Sequence, residues 1–463
     1  MFNINIYTQR RKNLQKQMNN GIVVLLSNNE SAMNYKSNTY RYRQDSTFIY
    51  FYGLSLPGLT AVMDLETGTD MLFGDDYTID DIIWMGEQPS VAELAARCGV
   101  EKVCPTADLQ QFIQKAQNAG KTIHFLPPYR DDNRLFLSHL TGISVSEINA
   151  KASVELIKSI VNLRSIKSAE EVQEMDKICN TGVKMHTAVM QLCHIGTTER
   201  RLAGSAEGIA LSEGNGVSFP VILSQNGQTL HNHDHSQILQ DGRLLLADMG
   251  AEAISCYNSD YTRTFPVSGK FTQKQKEIYE IVLKANMETI EKAKPGIPYF
   301  DVHLHAVTVL AEGLTALGLM KGEPQQAAKV GAVALFMPHG LGHHIGLDVH
   351  DMEDYGEDYV GYDQTIHRST IFGHASLRCG KVLQPGFIVS DEPGIYFIPQ
   401  LIDIWEKEKK FAEFINYEKV RQYLDFGGIR IEDDLLITGT GCRVLGEPLP
   451  KTVNEIEAIV GTK

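Results

Sequence analysis

LLLADMGAEAISCYNSDYTRTFPV, residues 244–267, runs apolar to Ala247, breaks around Gly250 and resumes in β-branched and aromatic residues after Ser259. This pattern predicts an antiparallel hairpin. Its two aspartates, Asp248 and Asp260, are twelve positions apart. Side chains alternate along a strand, so an even separation sets both carboxylates on one face unless a bulge intervenes. A carboxylate at the end of a buried strand is costly unless it is paired or holds a cation. The competing reading is a pair of turn aspartates with no shared role.

Three further donors stand in equally punctuated settings. MPHGLGHHIGLDVHD (337–351) carries His343 between His339 and His350, and Gly340, Gly342 and Gly346 let its backbone crowd against a ligand. His344 interrupts a stretch that otherwise wants an apolar residue and is read as structural. In SDEPGIYF (390–397), Glu392 closes a strand and Pro393-Gly394 reads as a type II turn. In GGIRIEDDLLIT (427–438), a period of two puts Ile429 and Ile431 on one face and Arg430 and Glu432 on the other. The alternative there is a solvated face with a surface ion pair of little value.

Four carboxylates and one imidazole make a hard donor set, suited to Mn²⁺, Co²⁺, Fe²⁺ or Zn²⁺ rather than to a thiolate-loving metal. Five donors exceed what one catalytic ion takes from a protein, which points to two ions sharing carboxylates. LHNHDHSQIL (230–239) resembles a metal cluster, but such polar tracts are mostly surface.

The remainder of the chain bounds the class. At 463 residues it is long enough for two domains. Its 43% hydrophobic and 22% charged content is that of a globular protein. The formal charge of −14 opposes a phosphate backbone, and no basic stripe overrides it, so nucleic-acid binding is not expected. No apolar run reaches membrane-span length. MFNINIYTQRRKNLQKQM lacks the apolar core of a signal peptide, and the seven cysteines show no CxxC spacing. A cytoplasmic protein with reduced thiols is expected.

Strand-like runs at 21–27, 47–54, 59–68 and 121–127 alternate with helical spacing at 90–99 and 107–120, which predicts a small α/β domain. Ser168 and Glu171 form a capping box that opens a long helix. Two more helices are expected over 274–293 and 301–318, with Gly- and Pro-punctuated strands between and after them. The expected organisation is α+β, with domains at 1–166 and 167–463.

Taken in order, the motifs Asp…Asp-x-Thr-Arg-Thr-Phe-Pro, His-Gly-Leu-Gly-His-x-x-Gly-Leu-Asp-Val-His-Asp, Glu-Pro-Gly-Ile-Tyr and Gly-x-Arg-Ile-Glu-Asp-Asp resemble the Xaa-Pro aminopeptidase (aminopeptidase P) and prolidase family. The likeness covers essentially the whole chain, RYRQDSTFIYFYGLSLPG (41–58) being similar to the N-terminal domain of those enzymes. It implies a creatinase-like α/β N-terminal domain followed by a pita-bread catalytic domain with a curved mixed sheet and outer helices. It implies a pair of divalent ions, most often Mn²⁺, held by Asp248, Asp260, His343, Glu392 and Glu432, with Asp260 and Glu432 bridging. His339 and His350 match histidines that contact substrate and shuttle protons. His231 matches a histidine of the family's Leu-His-Tyr segment, and Arg430 the arginine that orients an aspartate ligand. Homo-dimers or homo-tetramers are the family's habit. Three positions depart from the pattern: the twelve-residue aspartate spacing where eleven is usual, Asn232 where a tyrosine is expected, and His344 where a bulky apolar residue is expected.

The expected reaction is hydrolysis of the bond between an N-terminal residue and a following proline, by a hydroxide bridged between two metal ions whose charge lowers the water's pKa. Glu392 is the candidate general base, His350 the group polarising the carbonyl and His339 a holder of the substrate backbone. The alternative within the class is a strict Xaa-Pro dipeptidase, to which 375–386 and 392–408 are at least as similar. A non-catalytic binding module on the same fold is the alternative outside it. The retained nest of like charges argues against that module.

Overall fold

In the first 130 residues, β-branched runs and amphipathic stretches assemble into a five-stranded sheet. The computed structural model describes residues 2–463. Two compact units are distinguished: one runs to Arg164 and takes in Met352–Tyr359, the other comprises Ser165–Asp351 and Val360–Lys463.

In the first unit the strand order is Lys102–Cys104, Thr69–Phe73, Thr60–Asp64, Ile22–Leu26 and Ile123–His124. The two edge strands pair in parallel and the inner ones antiparallel. Alternate residues Ile22 and Val24, and Met71 and Phe73, bury one face against Leu109, Ile113 and Ala116 of the helix Leu109–Asn118. The strand expected over 47–54 is instead a helix, Ser46–Tyr52. Asp45 caps it through the Phe48 amide, and Gly53 closes it in a left-handed conformation. All seven of its residues are buried, so no polar face marks the helical period in the sequence.

The second unit is built from short mixed strands and helices. The helix Ala169–Leu192 opens on the Ser168–Glu171 capping box, and Gln273–Lys292 on a second one formed by Thr272 and Gln275. Gln273–Lys292 packs on Tyr299–Ala316 and on strand Ile388–Asp391. One three-stranded sheet runs Thr262–Pro266, Leu244–Asp248, Ile222–Ser224, and a second runs Ile388–Asp391, Asp433–Ile437, Cys442–Val444. Between them lies the pair Gly394–Tyr396 and Gly428–Arg430. Pro393-Gly394 is not the type II turn expected, since Gly394 has no positive φ. The chain continues through it from one sheet to the next. No helix among the described residues is long and apolar enough to cross a membrane.

Candidate metal centre

The hairpin at 244–267 forms with its register unbroken almost to the tip. Asp248 pairs with Thr262. Beyond it the Met249 amide donates to the Tyr261 carbonyl, Ser259 to Ala251 and Ala253 to Tyr257. Even-numbered residues of both arms therefore share a face, and Asp248 and Asp260 both line one cavity. Only residues 254–256 remain to accommodate the twelve-residue spacing, and Cys256 there adopts a φ of 68°.

Thr262 also bridges to Glu432, so Asp248, Thr262 and Glu432 lie in one row across three chain segments. Thr262 Oγ1 donates to Glu432 Oε2 at 2.7 Å and accepts from Arg430 Nε at 3.0 Å. Arg430 Nη2 donates to Asp248 Oδ2 at 2.5 Å, and Nη1 to the Tyr396 hydroxyl at 2.8 Å. Arg430 and Glu432 are both buried, which removes the solvated-face alternative.

His343 and Glu392 meet because residues 341–345 run beside the strand Ile388–Asp391. The Ser390 amide donates to His343 and the Glu392 amide to Leu341. Only glycine fits at 342, where a Cβ would lie 2.1 Å from the Ser390 carbonyl oxygen. His343 Nδ1 faces the His344 carbonyl at 3.1 Å, a contact that requires a proton on Nδ1. Burial, reinforced by His350, holds the His343 pKa well below the usual histidine range, so Nε2 carries a lone pair. That lone pair faces Asp260 Oδ2 and Glu392 Oε1, each 3.6 Å away.

With both carboxylates ionised, three electron-rich atoms would face one another here and repel unless a cation sat between them. One donor atom each of Asp260, His343 and Glu432 lies within 4.8 Å of the others. Asp248 Oδ1 and Asp260 Oδ1 are buried without a hydrogen-bond partner. Burial and then the neighbouring carboxylates push Asp260 and Glu432 well above the usual carboxylate range. Burial also raises Glu392 to about 8 against the pull of Arg430. A donor set this resistant to its own ionisation fits divalent cations.

The cavity has a volume of about 610 Å³ and is also lined by His231, His339, His350 and Arg378, with Phe219, Ile222 and Leu230 on its apolar side. His339 is tied at both nitrogens, Nδ1 to the Gly340 carbonyl at 2.7 Å and Nε2 to the Tyr396 hydroxyl at 2.9 Å. Burial and then Arg430 lower its pKa to about 3, so the ring is neutral. The His350 ring lies tilted with its centroid 4.1 Å from that of His343, and burial, then Arg378, lowers its pKa to about 3. His231 sits exposed on the rim, and Asn232 beside it donates to Ser224 Oγ at 3.0 Å. His233 joins His231 in the lining, whereas His235 turns away to the Val221 carbonyl. His344 is buried edge-on against Phe387.

Two residues of this arrangement carry no expectation from the sequence. Tyr396 lies inside the Glu-Pro-Gly-Ile-Tyr motif, whose tyrosine could have been marked as a buried hydroxyl. Arg378 has no local signal at all.

The sequence pattern of metallopeptidase family M24 matches residues 173–439, and that of the aminopeptidase P N-terminal domain matches residues 7–124. The chain belongs to metallopeptidase family M24. It is an enzyme of the aminopeptidase P/prolidase type, and M24 membership implies divalent metal ions, which the donor set fits. The Xaa-Pro dipeptidase of Homo sapiens is 31% identical over 448 residues, spanning 95% of this chain and 88% of the human protein. A probable Xaa-Pro aminopeptidase of Verticillium alfalfae is 32% identical over 448 residues, spanning 96% and 93%. Aminopeptidase PepP of Pseudomonas aeruginosa matches with a TM-score of 0.81 at 28% identity, over 99% of this M24 chain and 98% of its own. Aminopeptidase P of E. coli with the inhibitor Pro-Leu gives the same values. The architecture is thus the expected one, an aminopeptidase P-type N-terminal domain followed by a pita-bread catalytic domain.

Proposed function

We propose that this M24 enzyme is an Xaa-Pro aminopeptidase in which Asp248, Asp260, His343, Glu392 and Glu432 hold two divalent ions, Mn²⁺ being the best match to so oxygen-rich a set. The supporting observation is the His343 Nε2 lone pair facing two carboxylate oxygens 3.6 Å away. When bound, the ions would supply Lewis acidity and a water of lowered pKa.

The chain's own groups do the rest. Glu392, with 19% of its side chain exposed against 7% for Asp260, is the carboxylate most open to the cavity. It takes a proton from a cavity water and delivers it to the departing imino nitrogen. His350 meets the substrate as a neutral imidazole and donates one N–H to the scissile carbonyl. His339, with both nitrogens engaged, offers its ring face and holds Tyr396 against Arg430, which in turn orients Asp248. His231 on the rim contacts the first residue of the peptide. A bond before proline has no N–H to offer, so recognition falls on the ring, for which Phe219, Ile222 and Leu230 provide an apolar wall. All seven cysteines are unpaired, which supports a reducing compartment such as the cytoplasm.

A second reading, the strict Xaa-Pro dipeptidase, is favoured by Arg378. A guanidinium in the wall beside His350 and Glu392 suits the free carboxylate with which a dipeptide ends. Product analysis of di-, tri- and pentapeptide Xaa-Pro substrates with Mn²⁺ tests both readings. Release of the first residue from all lengths supports the aminopeptidase; cleavage of the dipeptide alone, lost in Arg378→Met, establishes the dipeptidase. Chelation should abolish activity and Mn²⁺ restore it. Turnover that survives both chelation and Asp260→Ala would sink the metal reading.

A further inference from the structure

Lys167 Nζ and Asp351 Oδ2 form an ion pair 3.1 Å apart, with each side chain 1% exposed. Asp351 is the last residue of the second unit before the chain passes to Met352–Tyr359, and Lys167 follows the other crossing, at Ser165, by two residues. Both lie within the second unit. Asp351 also immediately follows His350.

The Asp351 carboxylate organises the loop that ends in His350. Its Oδ1 accepts from the Asp348 amide at 3.3 Å, and its own amide donates to the His344 carbonyl at 2.9 Å. Gly346 packs directly on it, since a Cβ there would lie 2.5 Å from Oδ2. Asn258 Nδ2 secures the same turn through the Gly346 and Leu347 carbonyls. On the other side, the Lys167 amide donates to the Gly386 carbonyl at 2.8 Å, two residues before the strand that carries Asp391 into Glu392. The ion pair thus ties the His350 end of the loop to the base of the strand that leads to Glu392.

Buried ion pairs are poor sources of stability, because apolar groups of similar volume often do as well or better. What an ion pair with further fixed acceptor contacts supplies is one direction for the segment that bears it. We propose that Lys167 is a positioning residue, holding Asp351 so that His350 stands at a fixed place beside His343. The proposal rests on the reading of His350 as a substrate-contacting group.

The experiment compares Lys167→Met, Asp351→Asn and the double variant, each with Mn²⁺ and with metal content measured. Each single variant removes one member of the buried ion pair and should lower Tm. In the double variant both members of the pair are uncharged, and asparagine still accepts from Asp348, so Tm should recover above that of the single variants. Its kcat should nonetheless stay roughly 10–100-fold below that of the parent, with KM changed by about threefold or less and metal content unchanged. Recovery of kcat together with Tm would make the pair merely structural and overturn the proposal. Hydrogen exchange of amides 344–351 gives a readout independent of turnover: faster exchange in the double variant supports the tie, and parental exchange overturns it. If the parent fails to cleave Xaa-Pro peptides, the functional reading falls, while the exchange data still decide whether Lys167 fixes the loop.

Discussion

Glu432 and Asp433 are adjacent, both are buried, and their surroundings treat them in opposite ways. Asp433 Oδ1 meets Arg263 Nη2 at 2.7 Å, and its Oδ2 meets Lys451 Nζ at 2.7 Å. Against the push of burial, those two cations hold its carboxyl well below the usual range. Glu432 accepts from a neutral hydroxyl, Thr262 Oγ1, and burial with Glu392 and Asp248 forces its carboxyl upward. One charge is balanced by side chains of the same chain. The other is set among further carboxylates and an imidazole lone pair, an arrangement that, in the function proposed above, cations from outside complete.

The largest test of that contrast is removal of metal. Chelation should take peptide hydrolysis to background and leave the ion pairs of Asp433 in place, so the protein should stay folded, as circular dichroism would show. Unfolding on chelation would mean that the two carboxylates are not independently neutralised. Next in size is Arg263→Met, which strands Asp433 and should cost about 3–5 kcal/mol in denaturant unfolding. Glu432→Gln in the metal-free protein should cost far less or raise stability, because it removes one of several like charges.

A third test uses pH. In metal-free protein Asp260, Glu392 and Glu432 have folded pKa values above their unfolded ones. Their contribution to stability is therefore fully present below about pH 4 and is lost as pH rises through the folded values, about 8 for Glu392. The Tm of chelated protein should fall between about pH 5 and 8 relative to Mn²⁺-loaded protein. Asp433 has the opposite sign: its contribution is present above about pH 4 and fades only as acid approaches its depressed value. Parallel Tm–pH curves with and without metal would break the comparison. The smallest expected effect is that of Thr262→Val, which removes the hydroxyl between Arg430 and Glu432. It should weaken Mn²⁺ binding by about 10–100-fold in calorimetric titration, with little change in Tm.

Much of this was legible in the chain. The hairpin at 244–267 could be read because alternation has a period of two, and a regular ladder carries parity from Asp248 to Asp260. The Ser168–Glu171 capping box announced the helix at 169 because such a signal is strictly local. The helix Ser46–Tyr52 was not legible, since a helix buried on every side has no amphipathic period. Pro393-Gly394 was misread because a turn signature records what two residues permit, and here strand partners on both sides keep the chain extended. Arg378 and Tyr396 were silent for a third reason: each acts through groups distant in sequence.

The sequence by itself determined which side chains could serve as donors, and that Glu432 and Asp433 must face opposite ways. Alternation along a strand is a property of the backbone and needs no partner. Only the tertiary structure decided what each face meets. Arg263 lies 170 positions from Asp433 and reaches it because the second arm of the hairpin meets the chain at Glu432, the residue just before the strand Asp433–Ile437. The same meeting sets Thr262 opposite Glu432, and the glycine-rich turn brings His343 toward Asp260 and Glu392. Electrostatic energy depends on distances of a few ångströms, and those distances exist only once segments far apart in the chain have packed.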